Sequence, residues 1–388
     1  MRVSECVYGV LPTETPLIDN FAPGGSDVMS VVLEQPIMTN DTSSTLAMMR
    51  TKRVDIGTSM GIEKMVITSR LNIQAQRVHT DVLIIGAGIA GATLAHKLQS
   101  TNLSCIVLDK GRGVGGRMST RRRGDVVFDH GAQFITVRDP RVQDIFDDLL
   151  SRGVVREWFR GSADGLPRYC GTQGMSRIVH AIAKGCDVRT STEVTSLSHD
   201  GKLWTATCVN GDTYTARVIV STAPVPQTLN LLANGTVDLG NEIRHELTSL
   251  RYERCIAALV TTSAPVDVRS ITHPDVAYIG DNLDKSISAT PSYTIHATPD
   301  VSERMWDEDR HTTAQYLARC VFGDALPGVI DVDVHGWKFS RPIDQAATTV
   351  FEAVMRPQLL LIGDAFGGAR VEGAMISALD AAARITSA

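Results

Sequence analysis

The apolar positions change rhythm several times along the chain, and each change marks an element. Residues 81–85 (DVLII) form an unbroken apolar run, which predicts a buried strand. From Ile89 the apolar residues recur at helical spacing, at Ala92, Leu94, Ala95 and Leu98. A second apolar run over 104–108 ends at Asp109. Residues 126–134 read as a strand running into a turn. Asp139-Pro140 then has the form of an N-cap and first helical residue for a helix over 141–151, stopped by Gly153. A short helix is expected over 174–184, ended by Gly185.

Period-two alternation follows over 192–197, 203–209 and 213–222. The connections are Asp200-Gly201 and Asn210-Gly211, the strongest short hairpin signals, so these segments predict a meander. Residues 236–335 mix both periods: helices over 241–250 and 310–321, strands over 255–261 and 293–297. A strand over 359–362, a glycine-rich turn and a helix from about Gly373 close the chain. Residues 1–79 show poor periodicity and a Ser/Thr/Pro/Gly-rich composition with scattered acids (Glu5, Glu14, Asp19, Asp27, Glu34, Asp41). They lack the form of a signal or transit peptide. They read either as a disordered extension or as sequence ahead of a true start at Met60 or Met65.

Composition narrows the class. The chain has 388 residues, 43% of them hydrophobic, ample for a sizeable core. A net charge of −5 gives no sign of a nucleic-acid partner. No apolar run reaches the roughly 18 residues of a membrane-spanning helix. Seven scattered cysteines without a C-x-x-C pair argue against a disulfide framework and for a reducing, cytoplasmic setting. The ten histidines show no metal-ligand spacing, so no metal is expected. Oligomeric state leaves no mark on the sequence.

The chemistry lies in two glycine-rich segments. Gly86, Gly88 and Gly91 sit between the first strand and its helix: for a tight turn, for close approach of backbone to a pyrophosphate, and for helix-on-strand packing. The helix start offers free N–H groups to phosphate. Asp109, roughly 20 residues on, suits ribose hydroxyls. Gly115-Gly116-Arg117 follows at once, and the Arg117 fork can pair with a pyrophosphate. A plain NAD dehydrogenase has no need of this second element; it resembles the acid-then-GGR signature of FAD-dependent amine oxidases. The alternative for it is an exposed basic loop continuing through Arg121, Arg122 and Arg123. Near the other end, Asp364 follows a strand and Gly363, where it could meet a ribityl chain. The last helix would aim its positive end at the flavin pyrimidine, favouring reduced flavin.

From about Asp81 to the C-terminus the chain resembles the renalase group of FAD-dependent oxidoreductases within the amine-oxidase-like fold. The resembling segments are GAGIAG (86–91), LDKGRGVGGRMSTRR (108–122), DHGAQFIT (129–136), GTQGMSRI (171–178), VIVSTAPVPQ (218–227), TIHAT (294–298), WKFSRP (337–342) and GDAFGGARVEGAMISALDAA (363–382). This implies an α/β architecture: a Rossmann-type FAD-binding domain (80–140, 171–232, 335–388) with an inserted α+β substrate domain (141–170, 233–334), as in amine oxidases and p-hydroxybenzoate hydroxylase.

It further implies that FAD is held by Gly86, Gly88, Ile89, Ala90, Gly91, Asp109, Lys110, Gly116, Arg117, Met118, Gln133, Gly363, Asp364, Glu372, Gly373 and Ala374, with Val194 backing the adenine. Gln133, Phe134, His296, Trp337 and Arg341 would face the substrate, with Tyr169 and Trp158 as lesser candidates. The implied reaction passes hydride from a dihydropyridine isomer of NAD(P)H to flavin N5, with O2 as acceptor and H2O2 as product. Such a donor becomes aromatic on losing hydride and needs no base at carbon, and the chain shows no Ser-His-Asp set, paired carboxylates or activated thiol. Trp337 or Phe134 could stack on the pyridine ring, and Arg341 could steer a phosphate or carboxamide. Three other readings stay open: an oxidase of amines, which wants an aromatic cage and an acidic anchor; a carotenoid-type desaturase, disfavoured by the lack of a basic amphipathic helix; and a flavin-binding regulatory protein without turnover.

Overall fold

The computed structural model describes residues 75–326 and 328–387, together with four short strands nearer the N-terminus. The chain divides into two units, 1–72 and 73–388. In the first, Met29–Ser30 pairs with Asp55–Ile56 and Leu33–Pro36 with Met49–Lys52, both antiparallel. The remainder of the 1–79 expectation lies outside the described residues, except at its end. There the first strand of the second unit, β1 (Arg77–Ile85), starts earlier than the apolar run suggested, because residues 77–80 pair with the long third strand of the meander.

The second unit opens with the anticipated βαβ: β1, α1 (Ile89–Leu98) and β2 (Cys105–Leu108). The arginine run then forms β3 (Thr120–Arg123), not an exposed loop, and pairs with β4 (Val126–Asp129). Arg121 pairs with Asp333 at 2.8 Å and Arg123 with Asp331 at 2.7 Å, which explains how two of these cations tolerate a strand. After α2 (Pro140–Ser151), capped by Asp139 through Arg141 N–H, comes a hairpin that the sequence did not announce, β5 (Val155–Arg160) and β6 (Pro167–Gly171).

Then follow α3 (Ser176–Ile182), β7 (Asp187–Arg189) and the meander β8 (Val194–His199), β9 (Trp204–Cys208) and β10 (Thr213–Ser221). Helices α4 (Val225–Asn234) and α5 (Asn241–Ser249) lead into β11 (Tyr252–Thr262), β12 (Val276–Asp281) and β13 (Ser292–Ala297). Next are α6 (Pro299–Arg304), α7 (Arg310–Phe322) and a long strand, β14 (Val329–Pro342). The chain closes with β15 (Phe351–Val354), β16 (Gln358–Leu361), α8 (Asp364–Gly367) and α9 (Val371–Thr386).

Two sheets organise these elements. The larger has the order β7-β2-β1-β10-β9-β8, with β16 beside the second half of β10 and β15 beyond it. Its β7, β2, β1, β10 and β16 run parallel, and both faces are covered. Val82, Ile84, Val107 and Val220 face a layer containing residues of α1, α2, α3 and α9. Leu83, Ile85, Ile106 and Ile219 face a layer with residues of the meander, α4 and α5. Buried Trp204 ties that second layer to the chain end, donating from Nε1 to the Pro357 carbonyl at 3.0 Å. The smaller sheet, β12-β13-β11-β14, is antiparallel and packs one face on α6 and α7 through Ile256, Val260, Ile295, Leu317 and Val334.

These cores shift the expected domain limits. Val142, Phe146 and Leu149 of α2 belong to the nucleotide-side core, as do Leu247 and Leu250 on its other face, so 141–152 and 233–250 side with the larger sheet. The expected limit between 334 and 335 falls inside β14. No helix among the described residues is long and apolar enough to cross a membrane. The described cysteines Cys105, Cys170, Cys186, Cys208, Cys255 and Cys320 are free thiols.

Candidate active site

Four chain segments converge at the carboxyl ends of β1, β2, β10 and β16. The first is the turn from β1 into α1. A Cβ on Gly91 would lie 2.0 Å from the Gly86 carbonyl oxygen, so only glycine lets helix and strand close this tightly. Gly88 is the opposite case: nothing lies within 4 Å of its would-be Cβ, and α1 begins there without a side-chain cap. Ile89 and Ala90, the first two residues of α1, are buried. Asp109 clasps the turn: its carboxylate accepts from Ala87 N–H and from Gly111 N–H, each at 2.6 Å. A carboxylate has about four acceptor positions, so capacity for ribose hydroxyls remains. A bare helix start, an open side that any side chain would fill and an acid at the next strand's end together fit a dinucleotide.

The second segment docks on the first. Gly115 N–H donates to the Ala87 carbonyl at 2.9 Å, and a Cβ on Gly116 would approach the Gly88 Cα to 3.3 Å. Met118 is buried beneath, while Lys110 is exposed at the rim. The expected roles of Arg117 and Asp364 change in the structure. Instead of pointing separately at a pyrophosphate and a ribityl chain, the two close on each other in a bidentate pair with both contacts at 2.6 Å. Arg117 also donates to the Ser340 carbonyl at 3.0 Å. Burial works against the Arg117 charge, but the Asp364 carboxylate outweighs it and holds the guanidinium above its usual pKa.

The third segment, 363–374, is equally close-packed. Gly363 N–H donates to Ser377 Oγ at 3.0 Å, and a Cβ on Gly373 would lie 2.1 Å from the Gly368 carbonyl oxygen. Helix α9 begins without a side-chain cap, with Ala374 buried in its first turn. The Glu372 side chain does something else: it is buried and accepts from the main-chain N–H groups of Arg138 and of Asp139, the latter at 2.8 Å. It tethers the start of α2 and leaves the cofactor side to the α9 main chain. Val194 opens β8, beside a bulge between Val194 and Ser196 that interrupts pairing with β9.

The fourth segment is the loop 130–134. Arg117 carbonyl accepts from Ala132 N–H at 2.9 Å, joining this loop to the glycine elements. Beneath it lies a fully buried ion pair: Lys285 Nζ stands 3.2 Å from Asp129 Oδ2, both side chains 0% exposed. Asp129 Oδ1 also accepts from Thr120 Oγ1 (2.7 Å) and Met175 N–H (2.8 Å). Gln133, expected to face the flavin, turns its amide into this network. Its Nε2 donates to the Asp129 and Gly131 carbonyls, at 2.5 and 3.1 Å, and its Oε1 accepts from Lys285 at 2.9 Å. Burial lowers the Lys285 pKa, opposed by Asp129. Trp158 covers Lys285, with Nζ 5.0 Å from the ring, and donates from Nε1 to Asp284 at 2.6 Å. Tyr169 is a core residue.

Two of the expected substrate residues hold the same atom. The His130 carbonyl accepts from Trp337 Nε1 at 2.8 Å and lies 3.4 Å from His296 Nε2. The His130 ring stacks on Trp337 (centroids 5.2 Å) and meets His335 edge-on at 4.6 Å. Phe134 lies edge-on to Phe159 and tilted toward Tyr278. Burial is the main cause that pushes His130 down to about 3, and His296 and His335 each down to about 4. Arg121 adds to it at His130 and His335. These imidazoles are therefore neutral near pH 7. Arg341 does not join them: its side chain is 60% exposed and both arms are held by Glu253, at 3.0 and 2.9 Å.

His130, His335, Tyr278, Phe159 and Lys285 are the site residues that sequence reasoning missed. Only His335 carried a signal, through its alternation with Trp337 on one strand. Among the described residues, no group of three or more His, Cys, Asp or Glu side chains is placed to hold a metal ion.

Known proteins place this geometry. Residues 84–149 match the NAD(P)-binding Rossmann-like domain, and residues 153–386 match the family of flavin containing amine oxidoreductases. The chain is 25% identical over 331 residues to renalase of Mus musculus, covering 77% of this chain and 96% of that protein. A redesigned putrescine oxidase superposes with a TM-score of 0.61 at 14% identity, over 80% of this chain and 99% of that one. A protein described as a protoporphyrinogen oxidase, from Exiguobacterium, gives 0.58 at 11% identity, over 80% and 99%. At such identities these two structures speak to the fold alone.

Proposed function

The chain belongs to the family of flavin containing amine oxidoreductases and is an FAD-dependent oxidoreductase, and on that footing we propose that its substrate is a dihydropyridine isomer of NAD(P)H. FAD, when bound, would supply a two-electron acceptor for the hydride of the ring, with O2 as the final oxidant and H2O2 as the product. The ring loses hydride and becomes an aromatic pyridinium, so the protein need not remove a proton from carbon. This chain's residues would then bind and orient. The Gly86–Gly91 turn and α1 would take the pyrophosphate, Asp109 the ribose, and the α9 start the flavin pyrimidine.

The observation that carries the reading is the chemistry beside loop 130–134. It combines His130, His296, His335, Trp337, Phe134 and Tyr278, with imidazoles held neutral. Two carboxylates beside the imidazoles are already paired, Asp129 with Lys285 and Asp333 with Arg121. Such a wall suits a flat ring. An amine oxidase anchors an ammonium with a free acid, and the reading as an oxidase of amines lacks that support here. The similarity to renalase along 96% of that protein points the same way.

The test is anaerobic mixing of the FAD-loaded protein with the 6-dihydro isomer of NAD and, separately, with benzylamine and putrescine. Bleaching by the dihydropyridine, reversed by air with one H2O2 per donor, is the expected outcome. Bleaching by an amine alone would replace this reading with amine oxidation, and a flavin unmoved by any donor would favour a binding protein without turnover.

A further inference from the structure

The smaller sheet carries a row of side chains that crosses all four strands. Tyr278 of β12 opposes His296 of β13, His296 opposes Ala257 of β11, and Ala257 opposes His335 of β14. Opposed residues share a face of a sheet. This is the face turned to loop 130–134, since Ser292 and Thr294, four and two residues before His296, donate to the Val127 and Asp129 carbonyls at 3.1 and 2.9 Å.

Along the row, each histidine has one ring nitrogen engaged. His296 Nε2 lies against the His130 carbonyl, and His335 Nδ1 lies 3.1 Å from the Arg121 guanidinium. Tyr278 Oη has no hydrogen-bond partner among the described residues. Its ring is half-buried, with centroids 6.1 Å from Phe134 and 6.4 Å from His296, and Phe134 leads on at 5.6 Å to Phe159, 38% exposed. An aromatic strip thus runs inward from solvent: Phe159, Phe134, Tyr278, His296.

The charged groups around the strip are committed. Lys285 pairs with Asp129, and Arg121 with Asp333. Arg168 lies over Phe134 and pairs with Asp164. Asp281 accepts from the Leu283 and Asp284 main chain, and Asp284 is exposed and holds Trp158.

We propose that Tyr278 determines substrate specificity: a flat, uncharged ring lies along the Phe134–Tyr278–His296 strip, and the Tyr278 hydroxyl hydrogen-bonds the ring's polar substituent. This rests on the ring-oxidation reading above, and it assigns the discriminating contact to a residue outside the sequence motifs. With its ring half-buried and no protein partner on its oxygen, the Tyr278 hydroxyl is free to donate to or accept from a ligand.

The test separates binding from turnover. FAD-loaded protein, oxidised, is titrated with nicotinamide and with benzylammonium, reading the flavin absorbance band. Nicotinamide should bind saturably and ahead of benzylammonium. Tyr278→Phe should weaken nicotinamide binding about 3- to 10-fold, the effect of one neutral hydrogen bond. It should leave FAD content and benzylammonium binding as in the parent protein, a pattern that general damage to the fold would not produce. Equal nicotinamide affinity in parent and Tyr278→Phe, no nicotinamide binding, or preference for benzylammonium would each overturn the assignment. None of these needs catalysis, so a failure of dihydropyridine turnover is read separately in the parent protein.

Discussion

Replacing Lys285 with methionine removes one half of an ion pair whose two side chains are 0% exposed. Asp129 would keep its contacts with Thr120 Oγ1 and Met175 N–H but lose the Lys285 counter-charge, and Gln133 Oε1 would lose its donor. Removing one partner of a buried pair costs about 3–5 kcal/mol, because the remaining charge stays desolvated. The unit that holds Lys285 spans residues 73–388, and at that size each kcal/mol moves Tm by roughly 1.5 °C, so Lys285→Met should lower Tm by about 5–8 °C. The pair Lys285→Met with Asp129→Asn removes both charges and should recover at least half of that loss. Because FAD stabilises whatever binds it, the melts are compared at one fixed FAD concentration, followed by far-ultraviolet circular dichroism. A single-variant loss below about 1 kcal/mol, the scale of an exposed pair, would refute the idea that this pair anchors the loop. So would a double variant worse than both singles.

Gly88→Val should leave a folded protein that purifies without yellow colour, since the space beside Gly88 is open to the cofactor alone, whereas Gly91→Val should fail to fold, its Cβ falling 2.0 Å from the Gly86 carbonyl; flavin absorbance and circular dichroism distinguish the two. Arg341→Ala, which breaks a pair on a 60% exposed side chain, should change stability by less than about 1 kcal/mol and leave the KM for the dihydropyridine unchanged. A tenfold rise in KM would put Arg341 back in the substrate site. Acid should destabilise the fold early. His130 titrates at about 3 and His296 and His335 at about 4, so they stay neutral in the fold while the unfolded chain takes up protons from about 6.5 downward. The stability they confer is full above pH 6.5 and falls as pH drops toward 4, by up to about 3 kcal/mol for His296 alone. Urea midpoints that stay flat from pH 7 to 5 would contradict this.

The glycine turn of the βαβ unit and the hairpins of the meander were legible in the sequence because each is local. A glycine triplet between strand and helix, an acid at the next strand's end, and Asp-Gly and Asn-Gly at hairpin turns need only a few neighbours to act. The substrate half depends on contacts between distant segments. Lys285 sits in DNLDKS, which looks like a solvated turn; Asp129, 156 residues earlier, makes its burial tolerable. The alternative of a basic loop at Arg121–Arg123 falls once Asp331 and Asp333 are seen opposite. Gln133 and Glu372 were located by motif, yet their side chains serve the scaffold, because a motif marks a position and not the direction of a side chain. The β14 alternation, Val332, Val334 inward against His335 and Trp337, was present in the sequence and was cut by the domain limit placed at 335.

The Arg117–Asp364 pair joins residues 247 apart. A chain emerging from the ribosome therefore exposes β10 long before β16 arrives to cover its edge, and the apolar faces of α1 and β1 wait for α9. Rossmann folds are often pictured as closing early around their first βαβ. Here the cradle for the cofactor cannot close until synthesis has passed residue 373. Chaperone dependence and the moment of flavin capture should both be set by the synthesis of residues 358–386, which form β16, α8 and α9. A chain cut short in α9 would then be a substrate for proteolysis and not a weak enzyme.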